Sequence, residues 1–217
     1  MIPFAIGFTG KSNTGKTTLI TKMIEKFTTN GMHVGAIKKC SHGFEIDKEG
    51  KDSMCYKNAG SDGVLLVSPD ELAFIHRKND LSFDDILNTY FMEYDIVLIE
   101  GHKEQGDLRK FQVLRKGVFE ELPPEGEGYI GIISNFEIES KLPVFSIDEI
   151  DKIYEFIMKL YKKADRIVHL NVNGKSVGLK YFVQEFIMGM NVGAIESLHL
   201  QTDEINEIRL LIKPKKK

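Results

Sequence analysis

One stretch near the start constrains this chain more than any other: Phe4-Ala5-Ile6-Gly7-Phe8-Thr9-Gly10-Lys11-Ser12-Asn13-Thr14-Gly15-Lys16-Thr17-Thr18-Leu19-Ile20. An apolar run enters Gly10, Gly15-Lys16-Thr17 follows after a short gap, and apolar residues then recur at helical spacing at Leu19, Ile20, Met23, Ile24 and Phe27. The order is strand, loop, helix, with the pattern G-x-x-x-x-G-K-[ST] at the junction. Backbone N–H groups of such a loop turn inward onto phosphate oxygens, and the first helical turn adds free donors and a positive dipole end. Gly10 to Thr18 are therefore the candidate phosphate-binding residues. Lys16 is placed to bridge the outer phosphates, and the Thr17 hydroxyl to ligate Mg²⁺. Glycine is needed at positions 10 and 15 because the loop takes backbone angles that side chains resist and lets phosphate approach closely. The alternative, a chance glycine turn before an ordinary helix, is disfavoured by the flanking strand and helix.

Composition narrows the class. Lys+Arg 29 against Asp+Glu 32 leaves a net charge of −3, so no broad basic surface points to nucleic acid. The basic end Lys213-Pro214-Lys215-Lys216-Lys217 reads as a solvated tail. No apolar run approaches the ~18 residues of a membrane span, and no signal peptide precedes the loop. With only two cysteines, Cys40 and Cys55, the expectation is a cytoplasmic protein without a disulfide framework. A metal site built from Cys40, His42 and Cys55 lacks the spacing that usually accompanies one.

Taken in order, the first helix should run from Lys16 to about Thr29 and stop at Asn30-Gly31, and His33 to Lys38 should form a second strand. The polar stretch from Lys39 to Asp52 is either a ligand loop at the carboxyl edge of a sheet or a solvated connection. A short helix over Ser53 to Ala59 and strands at Val64 to Val67 and Leu72 to Ile75 come next, then a helix capped by Ser82. Asp95-Ile96-Val97-Leu98-Ile99-Glu100-Gly101 ends an apolar strand on an acid, which can hold the hydration shell of Mg²⁺ or orient a water. Further strands are expected at Phe111 to Arg115, Tyr129 to Ile133 and Val144 to Ile147, and a helix over Asp148 to Ala164 closes the unit. Near-continuous apolar strands imply helices on both faces, hence an α/β fold with a doubly wound, mostly parallel sheet of the phosphate-loop NTPase type over 1–164.

Beyond Ala164 the pattern changes to a small β-β-α-β unit over 165–217: a strand to Val172, a turn at Asn173-Gly174, a return strand at Ser176 to Leu179, a helix from Lys180 to Leu198 and a strand at Ile205 to Ile212. The G-x-x-x-G at Gly189 and Gly193 is expected to let that helix pack closely on its own sheet.

Three motifs in order carry a family resemblance. Ala36 to Ser53, with Ile37-Lys38, the acidic Phe44-Glu45-Ile46-Asp47 segment and Gly50-Lys51-Asp52-Ser53, resembles the molybdopterin-guanine dinucleotide biosynthesis adaptor family (MobB). Glu100-Gly101-His102-Lys103 is similar to its E-G-F-K element, and Lys110 to Arg115 to the basic strand that follows. The resemblance spans about Ile2 to Ala164. Departures at Lys39, Ser41, Gly43 and His102 leave His42 as the main remnant of the family's histidine cluster.

The resemblance implies a homodimeric protein that binds GTP with Mg²⁺ and assists the molybdopterin guanylyltransferase, with molybdopterin itself a possible further partner. Lys16, Glu100 and Asp52 become the candidate catalytic residues, and Thr17, Glu100 and Asp52 the candidate Mg²⁺ ligands. Asp47, Lys51 and Asp52 fall in the loop that senses the terminal phosphate or meets the pterin partner. Related dimeric nucleotide-binding proteins place a lysine where Lys11 stands and reach the partner's nucleotide with it; Lys11 is either such a residue or a solvated one. Guanine rests on the resemblance alone, because N-K-x-D is absent and Ser134-Asn135-Phe136-Glu137 is only a distant substitute. Two other classes compete. A small-molecule kinase requires an arginine-rich lid, whereas Arg77, Arg109, Arg115, Arg166 and Arg209 are dispersed; a metallochaperone GTPase requires a histidine-rich tract.

Overall fold

The structure, a computed structural model, describes residues 4–40, 42–44, 52–77, 82–101, 108–163, 168, 170–172, 175–177, 179–198 and 208. Its centre is β1 (Phe4–Thr9), which leads through the glycine-bounded loop into α1 (Lys16–Thr29). Helix α1 ends where the Asn30-Gly31 pair stands, with Gly31 at φ +79°. The N–H groups of Gly31 and Met32 donate to the Thr28 and Phe27 carbonyls, which closes the last turn.

The chain continues through β2 (Val34–Lys38), α2 (Asp52–Asn58), β3 (Gly63–Val67), β4 (Leu72–His76) and α3 (Phe83–Tyr90) to β5 (Ile96–Glu100). Then follow β6 (Arg109–Leu114), β7 (Tyr129–Ser134), β8 (Val144–Ser146) and α4 (Ile150–Lys163). Six strands form one sheet in the order β2-β5-β1-β6-β7-β8, parallel at every pairing. Strand β1 thus lies where the chain's progress reverses, toward β5 and β2 on one side and toward β6, β7 and β8 on the other. Ligands of open α/β sheets bind at the carboxyl edge of this switch point.

Alternation along the strands assigns the two faces. Ile96 and Leu98 of β5 join Ile6 and Phe8 of β1 and Phe111 and Val113 of β6 under α1 and α4, around Leu19, Met23, Phe27, Ile153 and Ile157. Val97 and Ile99 turn the other way and pack with Leu87 of α3, against Ile37 and Phe91. Because β5 is covered on both sides, its apolar run is unbroken. Helices α1 and α4 are held side by side by Phe27 against Tyr154, ring centres 5.1 Å apart, and by Lys26 Nζ at 2.6 Å from Asp151 Oδ1.

Strands β3 and β4 do not join the main sheet. They form a separate antiparallel hairpin with Leu65 opposite Phe74 and Val67 opposite Leu72. All four side chains are exposed.

Toward the end of the chain, β9 (Leu170–Val172) and β10 (Lys175–Val177) pair antiparallel, β10 packs against α3, and α5 (Tyr181–Glu196) follows. The expected turn at Asn173-Gly174 and the expected strand at Ile205 to Ile212 fall outside the described residues, apart from Ile208. The strand expected to complete the sheet under this helix lies outside the described residues, and so does the close packing expected at Gly189 and Gly193; among the described residues, nothing lies within 4 Å of a Cβ at either. Among the described residues, no helix is long and apolar enough to cross a membrane.

Candidate phosphate-binding site

The loop between β1 and α1 has the backbone its glycines imply. Gly10 lies at φ +148° and Gly15 at +92°, and Asn13, at +65°, is the sole non-glycine residue with positive φ among the described residues. A side chain at Gly10 would also collide with the sheet, because its Cβ would stand 2.5 Å from the Val113 carbonyl oxygen. Alternation of left- and right-handed residues curls successive N–H groups into an anion-binding concavity.

The start of α1 completes it. Gly15 is the N-cap and supplies no side-chain acceptor, and no acid stands in the first turn. Helix α3 shows what an ordinary start looks like in the same molecule: Ser82 accepts from the Asp85 N–H, and the Asp85 carboxylate accepts from the Ser82 N–H at 2.9 Å. Helix α1 lacks such a box, and no side chain caps its N-terminus.

Lys16 is buried and folds back over the loop, its Nζ donating to the Lys11 carbonyl at 2.5 Å and lying 3.3 Å from Thr14 Oγ1. Thr14 Oγ1 itself donates to the Lys11 carbonyl at 2.9 Å. Thr17 turns toward β5, where its hydroxyl stands 3.1 and 3.2 Å from the two Glu100 carboxylate oxygens. Lys38, at the end of β2, places its Nζ 3.9 Å from the same carboxylate. The side-by-side ends of β2, β5 and β1 thus join Lys38, Glu100 and the loop, though the three lie far apart in sequence.

Other residues singled out in the sequence stand apart from this cluster. Asp52 is exposed at the first position of α2 and makes no hydrogen bond or ion pair with Thr17 or Glu100. Asp47, Lys51, His102 and Lys103 fall outside the described residues. Ser12 is exposed, as is Thr18 on the first turn of α1. Lys11 is also exposed, with its Nζ 5.0 Å from the centre of the Phe119 ring. Cys40 and Cys55 are exposed free thiols, His42 is exposed, and no three His, Cys, Asp or Glu residues gather as a metal site among the described residues.

On the opposite side of β1 from Glu100 the loop borders a cavity of about 320 Å³. Gly15, Thr18 and Leu19 form its inner side, and Arg115, Asn135, Ile147 and Asp148, all just past the ends of β6, β7 and β8, form its outer side. Arg115 is tied to the loop by an Nη1 contact with the Asn13 carbonyl at 3.4 Å. Arg115, which ends the basic strand of the family resemblance and is one of the dispersed arginines, and Asp148, which opens the expected closing helix, carry no motif that marks them for this site. The available signal is positional, since Arg115 directly follows β6 and Asp148 stands two residues past β8 at the carboxyl edge.

A parallel sheet whose central strand passes through this loop into an uncapped helix defines an α/β protein of the phosphate-loop NTPase type. The family described as "Molybdopterin guanine dinucleotide synthesis protein B" matches residues 5–135, and the chain belongs to that family, MobB. The molybdopterin-guanine dinucleotide biosynthesis adapter protein of Haemophilus influenzae is 32% identical over 70% of this chain and 86% of its own length. The adapter protein of the same name from Escherichia coli is 27% identical, over 76% of this chain and 97% of its own. A crystal structure of molybdopterin-guanine biosynthesis protein B superposes with a TM-score of 0.57 at 28% identity, covering 73% of this chain and 99% of that one.

Proposed function

We propose that this chain is a GTP-binding adapter that assists the guanylyltransferase attaching GMP to molybdopterin, and that it hydrolyses GTP slowly. The observation that carries the nucleotide is the start of α1, where uncapped N–H groups, the Gly10 to Gly15 loop and buried Lys16 converge on one point. On this reading a bound polyphosphate takes over the donors of Lys16 that now engage the Lys11 carbonyl and Thr14.

Thr17 and Glu100 fit Mg²⁺, because a hydroxyl and a carboxylate already within 3.2 Å of each other are hard oxygen donors of the kind this ion takes. The bound ion neutralises phosphate charge. Glu100 then holds the ion's water shell or a hydrolytic water, and Asp52 joins only if the loop before α2 brings it in. Slow hydrolysis follows from the placement of Arg115, which lies beyond β6 on the other side of β1 from Glu100 and is engaged by Asn13.

The homodimer belongs to the same reading. Leu65, Val67, Leu72 and Phe74 share one face of the β3–β4 hairpin and are exposed, and a two-stranded hairpin is marginal without a cover. A second copy supplies that cover and brings Lys11 within reach of a partner's nucleotide. We also read 165–217 as an extension appended to the 1–164 nucleotide-binding unit.

The reading is tested by reconstituting GMP transfer to molybdopterin with the guanylyltransferase in the presence and absence of this chain. Addition should raise product formation, and Lys16→Ala should remove the gain. Rapid phosphorylation of a small molecule by the chain alone would instead establish a kinase.

A further inference from the structure

We propose that the cavity beside the phosphate loop is the purine pocket of the nucleotide site and that Asp148, with Asn135, selects guanine. The inference rests on the nucleotide reading above and supplies what the sequence leaves open, the identity of the base.

Position comes first. The cavity of about 320 Å³ shares Gly15 and Thr18 with the loop and the first turn of α1, so a nucleotide with its phosphates on the loop has its nucleoside next to this space. Leu19 and Ile147 provide apolar wall for the ring faces. Arg115, anchored at the Asn13 carbonyl, provides a planar cation of the kind that stacks on a π system.

Recognition follows from the polar groups. Asn135 Oδ1 accepts the Lys116 N–H at 2.9 Å, which fixes the amide and leaves Nδ2 as a donor. The Asp148 carboxylate is 83% exposed, and Lys22 Nζ stands 3.9 Å from Oδ1, beyond hydrogen-bond length. Its oxygens are therefore available as a pair of acceptors. Guanine offers two adjacent donors, N1–H and the N2 amino group, beside the O6 acceptor. A carboxylate takes both donors, and the Asn135 amide or the Lys22 ammonium donates to O6. Adenine turns the lone pair of N1 toward the same carboxylate, which repels it. A pocket built around hydrogen bonds rejects the base that cannot form them more strongly than a pocket built on shape.

Asn135 and Asp148 come together because β7 and β8 are adjacent parallel strands, each ending immediately before its residue or one position earlier. A search for both groups inside one short motif misses them.

Calorimetric titration of the full chain with Mg²⁺ and GTP, ATP, xanthosine triphosphate or inorganic triphosphate tests the assignment. Wild type should prefer GTP to ATP by at least about tenfold. Asp148→Asn should lose at least about tenfold in GTP affinity while gaining xanthosine triphosphate, whose O2 accepts from the new amide. Affinity for inorganic triphosphate, which lacks a base, should be the same in both proteins and also reports that the variant is folded. If the variant binds triphosphate and GTP as wild type does, the pocket assignment is overturned while the phosphate-loop reading stands. If wild type binds neither triphosphate nor any nucleotide, the underlying reading fails, and the pocket with it. A second variant, Asn135→Ala, should weaken GTP and leave triphosphate unaffected; unchanged GTP affinity in both variants overturns the proposal independently.

Discussion

At the scale of single residues, Gly10 shows how much of the site was legible in sequence. The motif demanded a glycine there for its backbone angles, and the structure adds a second reason, the Val113 carbonyl 2.5 Å from where a Cβ would stand. Because that neighbour is backbone of the central sheet, it cannot swing aside. Gly10→Ala should therefore destabilise the fold by roughly 1–3 kcal/mol through strain and displaced contacts, visible as a lowered Tm, and should also weaken triphosphate binding. An unchanged Tm would show that the loop relaxes without cost. Glu100 was readable because an acid ends an apolar strand, whereas its partner Lys38 became recognisable only once β2 and β5 lay side by side. Arg115, Asn135 and Asp148 were not readable as a group, since their proximity depends on strand order and not on spacing.

At the scale of elements, punctuation decided what could be read. Helix α1 runs from Lys16 to Thr29 as its glycines and the Asn30-Gly31 pair predict, and α3 begins after Ser82 as its cap predicts. Gly189 and Gly193 lack such punctuation: the pair marks a helix face able to pack closely but not the neighbour that meets it, and among the described residues nothing lies within 4 Å of a Cβ at either. The α3 cap also has a pH signature. Hydrogen bonds from the Ser82 hydroxyl and N–H hold the Asp85 carboxyl below its ordinary value of 3.8. A depressed folded-state value means that the carboxylate stabilises the helix above the unfolded-state pKa and loses that effect as pH falls through the folded one. Ser82→Ala removes the hydroxyl, so the Asp85 carboxyl resonance should titrate at higher pH, nearer the ordinary value, when followed by NMR. A midpoint unchanged from wild type would assign the shift to the backbone N–H alone.

At the scale of the whole molecule, the six-stranded sheet is packed between helices, with α1 and α4 on one face and α3 on the other, whereas the β3–β4 hairpin leaves a face exposed. A doubly wound fold explains why β1, β5, β6 and β7 are buried; it provides no cover for Leu65, Val67, Leu72 and Phe74, which project from one face of a hairpin outside the sheet. The Phe74 ring approaches that of Tyr90 in α3, with centres 6.3 Å apart. Apolar runs and turn residues mark the two strands but not their departure from the sheet, since pairing is non-local. A face of four exposed apolar side chains is the kind of surface a second copy buries. Leu65→Asp combined with Phe74→Asp should convert a dimer to a monomer in sedimentation equilibrium. Charge at those positions is costly only against an apolar partner, and both side chains already face water in the single chain. The near-ultraviolet circular dichroism of the α1–α4 core, with Phe27 against Tyr154, should persist, which separates lost association from lost folding. A wild-type chain that sediments as a monomer at micromolar concentration would remove the hairpin as a dimer surface, and with it the route proposed for Lys11 to a neighbouring nucleotide.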